Sequence, residues 1–139
     1  MFYLRILGID YGDARVGIAV SDLLGITAQG IDVIAEKNFE NQVEKVASYV
    51  KEYKAEKIVL GFPKNMNGTV GERGEKTKVF ADALKKQVDA EIIFWDERLT
   101  TAAAHRTLAE GSVSGKKRKG ILDKLSAVFI LQGYLDSQR

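Results

Sequence analysis

Residues 5–21 read RILGIDYGDARVGIAVS. The run from Arg5 to Asp10 is apolar and β-branched, Gly12-Asp13-Ala14 supplies a turn, and Val16 to Ser21 is strand-like again. The stretch therefore predicts a β-hairpin. Working outward, residues 27–34 alternate loosely and predict a third strand, half exposed at an edge. Phe39, Val43, Val46, Ala47, Val50 and Tyr53 recur at three- and four-residue spacings among Glu and Lys, which predicts an amphipathic helix packed on a sheet. Residues 57–61 (KIVLG) are wholly apolar and stopped by Pro63, as expected of a central strand covered on both faces. Residues 63–74 (PKNMNGTVGERG) have no hydrophobic period and predict a loop of about a dozen residues, a length that is usually functional or disordered. A helix with Phe80, Ala83 and Leu84 inward follows, and then a fifth strand over residues 91–95 (EIIFW). Thr100 or Thr101 is a good N-cap for a helix from Ala102 to about Glu110, residues 111–115 predict a second loop, and a last helix runs from the basic run near Lys116 to Leu135.

This order predicts an α/β fold: a mixed five-stranded sheet with helices on both faces. Its first three strands are antiparallel, and its first, fourth and fifth strands are parallel neighbours. The 139 residues suit one domain over 1–139. With no cysteine, disulfides, a thiol nucleophile and thiolate zinc sites are excluded. The N-terminal apolar run is too short for a signal segment, and residues 121–135 are too often interrupted by polar groups to span a membrane. A soluble, cytoplasmic protein is the expectation.

The formal net charge is +2, but residues 99–139 carry seven basic against three acidic side chains. Much of that excess is the run Lys116-Lys117-Arg118-Lys119, a patch of the kind that contacts phosphates, although such runs are also ordinary solvated helix starts. Three acidic positions stand where apolar chain would otherwise predominate. Asp10 ends a strand that reads as buried, so an ionised carboxylate there needs compensation, whether by capping the turn or by binding a cation. Asp123 shares a helical face with Ser126, Ala127 and Ile130, which directs it toward the sheet, although a first-turn aspartate also suits the helix dipole. At the end of the fifth strand Asp96 and Glu97 are equal candidates. Ligand sites in open α/β sheets form at the carboxyl ends of strands. Three carboxylates gathered there would repel one another unless hard divalent cations, Mg²⁺ or Mn²⁺, were bound. Two such ions ~3.5–4 Å apart activate water and stabilise the leaving oxygen of a phosphodiester. The lone His105 is expected at the surface, and Phe94 and Trp95 in the core.

The segments GIDYGDARVGIAVSD, VLGFPKNMNGTVGERG, WDERLTT, KKRKGILDKLSA and VFILQGYLDS together resemble, in order and spacing, the bacterial YqgF-type family. These are small proteins of RNase H-like fold, described as candidate Holliday junction resolvases and as nucleases that mature the 5′ end of precursor 16S ribosomal RNA. The resemblance implies a hydrolase in which Asp10, Glu97 and Asp123 form the acidic set holding Mg²⁺ or Mn²⁺, as a pair of ions. It implies that Glu97 replaces the acidic residue with which related resolvases end their fourth strand, where this chain reads Gly61-Phe62-Pro63. Arg15, Arg98 and Arg106 are then candidates to position phosphate, and Lys116, Lys117, Arg118 and Lys119 to track the backbone. Lys64, Asn65, Asn67 and Arg73 would grip substrate from the glycine-rich loop and order on binding. The implied partners are precursor rRNA or branched DNA and the small ribosomal subunit, with the chain a monomer or homodimer. A module that binds structured RNA or DNA without cutting it is the competing expectation.

Overall fold

The computed structural model describes residues 5–64, 67–97 and 115–138, the stretch 115–123 by its helical backbone alone. Its strands are β1 (Ile6–Tyr11), β2 (Arg15–Ser21), β3 (Ala28–Ala35), β4 (Lys57–Phe62) and β5 (Glu91–Asp96). Its described helices are α1 (Phe39–Glu52), α2 (Glu72–Lys85) and α3 (Gly115–Ser137). The sheet order is β3-β2-β1-β4-β5. β2 is antiparallel to both β1 and β3, and β4 lies parallel between β1 and β5, as the element order predicts.

Strand alternation divides the core into two layers. Leu7, Ile9 and Tyr11 of β1 pack with Ile18, Ile58 and Leu60 against Val43 and Val46 of α1 and Phe80 of α2. Ile6, Ala19 and Val59 face Ala127, Ile130, Leu131 and Tyr134 of α3. Because successive side chains point to opposite faces, Gly8 and Asp10 lie on the α3 face. Gly8 is there for space: a Cβ would stand 2.6 Å from Leu131 Cβ and 2.9 Å from the Ala127 carbonyl oxygen. Helix α3 therefore crosses β1 at backbone contact.

The direction of α3 follows from two contacts. Gly30 lies against the Lys124 side chain. Ala28 N–H donates to Gln132 Oε1 at 2.9 Å. Residue numbers fall along α3 as they rise along β3, so α3 runs antiparallel to β3 and to β1. Helix α1 starts at Asn38, whose Oδ1 accepts from Asn41 N–H at 2.9 Å. β3 is an edge strand with a bulge at Ile31, since Ile18 pairs with Asp32 and Ala19 with Gly30. Such a bulge discourages pairing with another chain.

Two expectations need correction. The loop after β4 does not reach Gly74: α2 already begins at Glu72. Gly74 is buried beneath Val70 and close to the Pro63 carbonyl, a packing that only a helical turn brings about. Phe94 is not a core residue but 46% exposed. It stands on the edge strand β5 and packs edge-on against Phe62, with ring centroids 5.0 Å apart. Trp95, on the other face, packs on Tyr134 and over Gly133. The helix expected over residues 102–110, its cap and the loop over 111–114 lie outside the described residues. Among the described residues no helix is long and apolar enough to cross a membrane.

Candidate active site

Asp10 and Glu97 come together at the carboxyl ends of the parallel strands. β1 and β4 pair Ile9 with Leu60, so the next residues in register are Asp10 and Gly61, on strands about 4.8 Å apart. β5 carries Ile93 and Trp95 toward α3, and the alternation continues to Glu97, whose N–H donates to the Phe62 carbonyl at 3.3 Å. The Glu97 carboxyl folds back over Gly61. A Cβ on Gly61 would overlap Glu97 Oε1 and come within 2.5 Å of Ile130 Cδ1. A missing side chain on β4 thus makes room for a carboxylate supplied by β5, over the β4 residue next in register to Asp10. Asp96, one residue earlier, belongs to the other face of the sheet. Strand parity thus puts Glu97, and not Asp96, on the face that carries Asp10. Both Asp10 and Glu97 are half-buried.

Asp123 lies on α3 one turn before Ala127, on the side that carries Ala127, Ile130, Leu131 and Tyr134. Ala127 crosses above Gly8. One turn back along α3 covers about 6 Å. Two residues forward along β1, from Gly8 to Asp10, cover about the same distance in the same direction. The backbone thus brings Asp123 to the level of Asp10. Among the described residues no three acidic or imidazole side chains form a cluster fit for a metal ion. The side chain of Asp123 lies outside them.

The turn after Asp10 is held from elsewhere. Arg73 Nη2 donates to the Tyr11 carbonyl at 2.9 Å. Arg73 sits in the first turn of α2 and not in the preceding loop, so it is already engaged. Gln42 of α1, 1% exposed, accepts from the Tyr11 hydroxyl at 3.1 Å and donates to the carbonyls of Gly12 and Asp13, each at 3.1 Å. Burial, then the negative charge of Asp13, raise the Tyr11 pKa above its usual value. The Tyr11 ring stacks on Phe80 at 4.3 Å between centroids. Gln42 is absent from the sequence reading, although its position three residues after Phe39 and four before Val46 places it on the buried stripe.

Of the expected phosphate contacts, Arg15 begins β2 half-exposed, and Lys64 is exposed just beyond β4. Asn67 turns inward on its own loop: its Oδ1 accepts from Thr69 N–H at 3.1 Å and from the Thr69 hydroxyl at 2.6 Å. Asn65, Arg98, Arg106 and His105 lie outside the described residues. Lys116, Lys117, Arg118 and Lys119 are in the first turns of α3, with only their backbone described. A cavity of about 560 Å³ opens between the first turns of α1 and α2, lined by Tyr11, Asp13, Phe39, Gln42, Lys76 and Val79 among others. It lies on the α1 and α2 side of the sheet, across from Asp10 and Glu97.

The fold matches Thermus thermophilus RuvC bound to a Holliday junction, with a TM-score of 0.64 and 11% identity, over 98% of this chain and 96% of that one. Fowlpox virus resolvase in complex with Holliday junction DNA matches with a TM-score of 0.55 and 14% identity, over 97% and 99%. A family model described as "RuvX: Holliday junction resolvase" matches residues 4–137. The chain belongs to this resolvase family, and with it to the nucleases. A candidate pre-16S rRNA nuclease of Clostridium tetani is 54% identical over 134 residues, which are 96% of this chain and 97% of that protein. A protein of the same description from Halothermothrix orenii is 51% identical over 135 residues, 97% and 96% of the two chains.

Proposed function

We propose that residues 1–139 form a single nuclease domain that hydrolyses phosphodiester bonds in structured RNA, its substrate the 5′ extension of precursor 16S rRNA. Its setting in this reading is the cytoplasm, on the precursor small ribosomal subunit. The observation that carries it is the Glu97 carboxyl lying over Gly61, the β4 residue next in register to Asp10, in a chain half identical to candidate pre-16S rRNA nucleases. Two carboxylates on neighbouring strands, with a third acidic residue level with Asp10 on the covering helix, are hard oxygen donors suited to Mg²⁺ or Mn²⁺. Asp10, Glu97 and Asp123 would hold the ions. Bound as a pair, such ions supply activation of water and charge neutralisation at the leaving oxygen.

The residues of the chain do the rest. Gly61 leaves the floor of the site open, so the Glu97 carboxylate reaches it from β5. Ile130 and the Gly8–Ala127 contact fix the height of α3 above the sheet. Arg15 and Lys64, at the carboxyl end of the sheet, meet the phosphates flanking the scissile bond, and Lys116 to Lys119 follow the backbone further out. Such contacts set register without reading sequence, so recognition rests on RNA shape and unpaired ends.

The test is a cleavage panel with Mg²⁺ or Mn²⁺, comparing wild type with Asp10→Asn on an RNA bearing a 5′ precursor extension, on single-stranded DNA and on a four-way DNA junction. Metal-dependent turnover of the RNA that disappears in the variant is expected. Preferential junction cleavage would replace the RNA substrate by branched DNA. Binding without turnover on any substrate would make the chain a binding module.

A further inference from the structure

Four consecutive backbone carbonyls after Asp10 are taken by donors from outside the hairpin. Arg73 Nη2 holds the Tyr11 oxygen at 2.9 Å. Gln42 Nε2 holds those of Gly12 and Asp13 at 3.1 Å each. The Glu36 N–H holds that of Ala14 at 3.0 Å. Gln42 Nε2 also donates to the Glu36 carbonyl at 2.7 Å, so its two hydrogens are shared among three acceptors. One buried amide therefore ties the β1–β2 turn to the β3–α1 connection. On the apolar stripe of α1 a leucine would fill the same space without the cost of desolvating an amide. Packing alone gives no reason for a glutamine there.

We propose that Gln42 is a positioning residue for the nuclease reaction, with Arg73 as its second anchor. By drawing the Gly12 and Asp13 carbonyls toward α1, Gln42 fixes the backbone that follows Asp10, and so fixes where the Asp10 carboxylate stands. It also keeps those carbonyl oxygens, the negative ends of the peptide dipoles, on the side of the sheet away from the carboxylates, where they do not oppose an incoming phosphodiester. The inference rests on the reading of Asp10 as a cation-holding carboxylate.

Gln42→Leu preserves volume and removes every one of these bonds. Supporting groups of this kind change metal affinity or turnover by about 10–100-fold when removed. Gln42→Leu is therefore expected to raise the Mg²⁺ concentration for half-maximal activity and to lower kcat within that range, leaving KM for RNA unchanged. Calorimetric titration with Mn²⁺ in the absence of nucleic acid should show the same loss of affinity, and amide exchange at Gly12, Asp13 and Ala14 should quicken. Gln132→Leu supplies the control. It removes an α3 amide that bonds the β2–β3 tip, so it should lower stability and leave Mn²⁺ affinity unchanged. A folded Gln42→Leu with wild-type Mn²⁺ affinity and kcat overturns the proposal. If Gln42→Leu does not fold, Arg73→Met, on the exposed side of α2, decides instead, and wild-type Mn²⁺ affinity there overturns it. The underlying reading fails separately: Asp10→Asn would then retain turnover. An inactive Asp10→Asn beside an unaffected Gln42→Leu would leave that reading standing and remove only the positioning role.

Discussion

β2 ends in two turns that are held in opposite ways. The turn at Tyr11–Ala14 is held from outside: its carbonyls accept from Arg73, Gln42 and Glu36, drawn from α2, α1 and the connection before α1. The tip at the other end organises itself. Asp22 Oδ1 accepts from the N–H groups of Ile26 at 2.7 Å and Thr27 at 3.1 Å. Gly25 N–H donates to the Asp22 carbonyl at 3.1 Å, with Gly25 at φ +71°. From outside, Gln132 reaches the tip, donating to the Ile26 carbonyl at 2.9 Å. A turn stitched to three other elements moves only if they move, whereas a self-contained turn can be altered without disturbing the rest. The first adjoins Asp10; the second displays Leu23, Leu24 and Ile26 to solvent.

Substitutions at the two ends should separate accordingly. The largest effect is expected where the carboxylates meet. Gly61→Ala puts a methyl group into the Glu97 carboxyl and Ile130, so turnover should fall by more than about 100-fold, beyond the loss usual for a supporting group. Stability should fall by about 1–3 kcal/mol as Ile130 gives way. Steady-state cleavage beside urea unfolding measures both, and full activity would sever Glu97 from the site. Next, Gly12→Ala brings a Cβ to 2.7 Å from the Arg15 carbonyl oxygen. It should cost about 1–3 kcal/mol and lower kcat as well. Gly25→Ala is the matched test at the tip. It meets nothing within 4 Å and is strained only by its positive φ, so about 1–2 kcal/mol should be lost with kcat untouched. Equal effects on kcat at the two glycines would erase the contrast.

The smallest effect is a pH dependence. Hydrogen bonds from the backbone N–H groups of Ile26 and Thr27 lower the pKa of Asp22 below its ordinary 3.8. A carboxylate with a lowered folded pKa contributes stability that is fully present above the unfolded value and lost as pH falls through the folded one. Asp22→Asn should therefore flatten the acid limb of the stability profile below pH 3.8 and leave cleavage near neutrality unchanged. Unfolding midpoints across that range would reveal an unaltered slope if the tip did not depend on this charge.

The sequence patterns reach unevenly into this picture. Five strands, their directions and the two-sided layering are legible, because β1 and β4 are unbroken apolar runs and α1 has a clean stripe. What escapes depends on long-range geometry. Gln42 is polar and so drops out of an apolar stripe, although its helical position is a core one. Arg73 reads as a loop residue because glycines surround it, yet Gly74 is needed for close packing inside α2. Phe94 reads as core by hydrophobicity, and only the place of β5 at the sheet edge exposes it. The choice between Asp96 and Glu97 turns on parity along β5, which is fixed by register with β4 and by nothing local. Gly61 appears in the sequence as an absent acid; in the fold it is the vacancy that admits one.

Helix α3 also sets an order of events in the life of the chain. Ala28 and Gln132, joined by a hydrogen bond, are 104 residues apart, and the layer over Gly8 closes only when α3 arrives. On a ribosome, the strands bearing Asp10 and Glu97 emerge before α3, so the layer over Gly8 stays open until that helix has been made. In the proposed reading the acidic set would be complete only once α3 has docked, so cleavage would await that step.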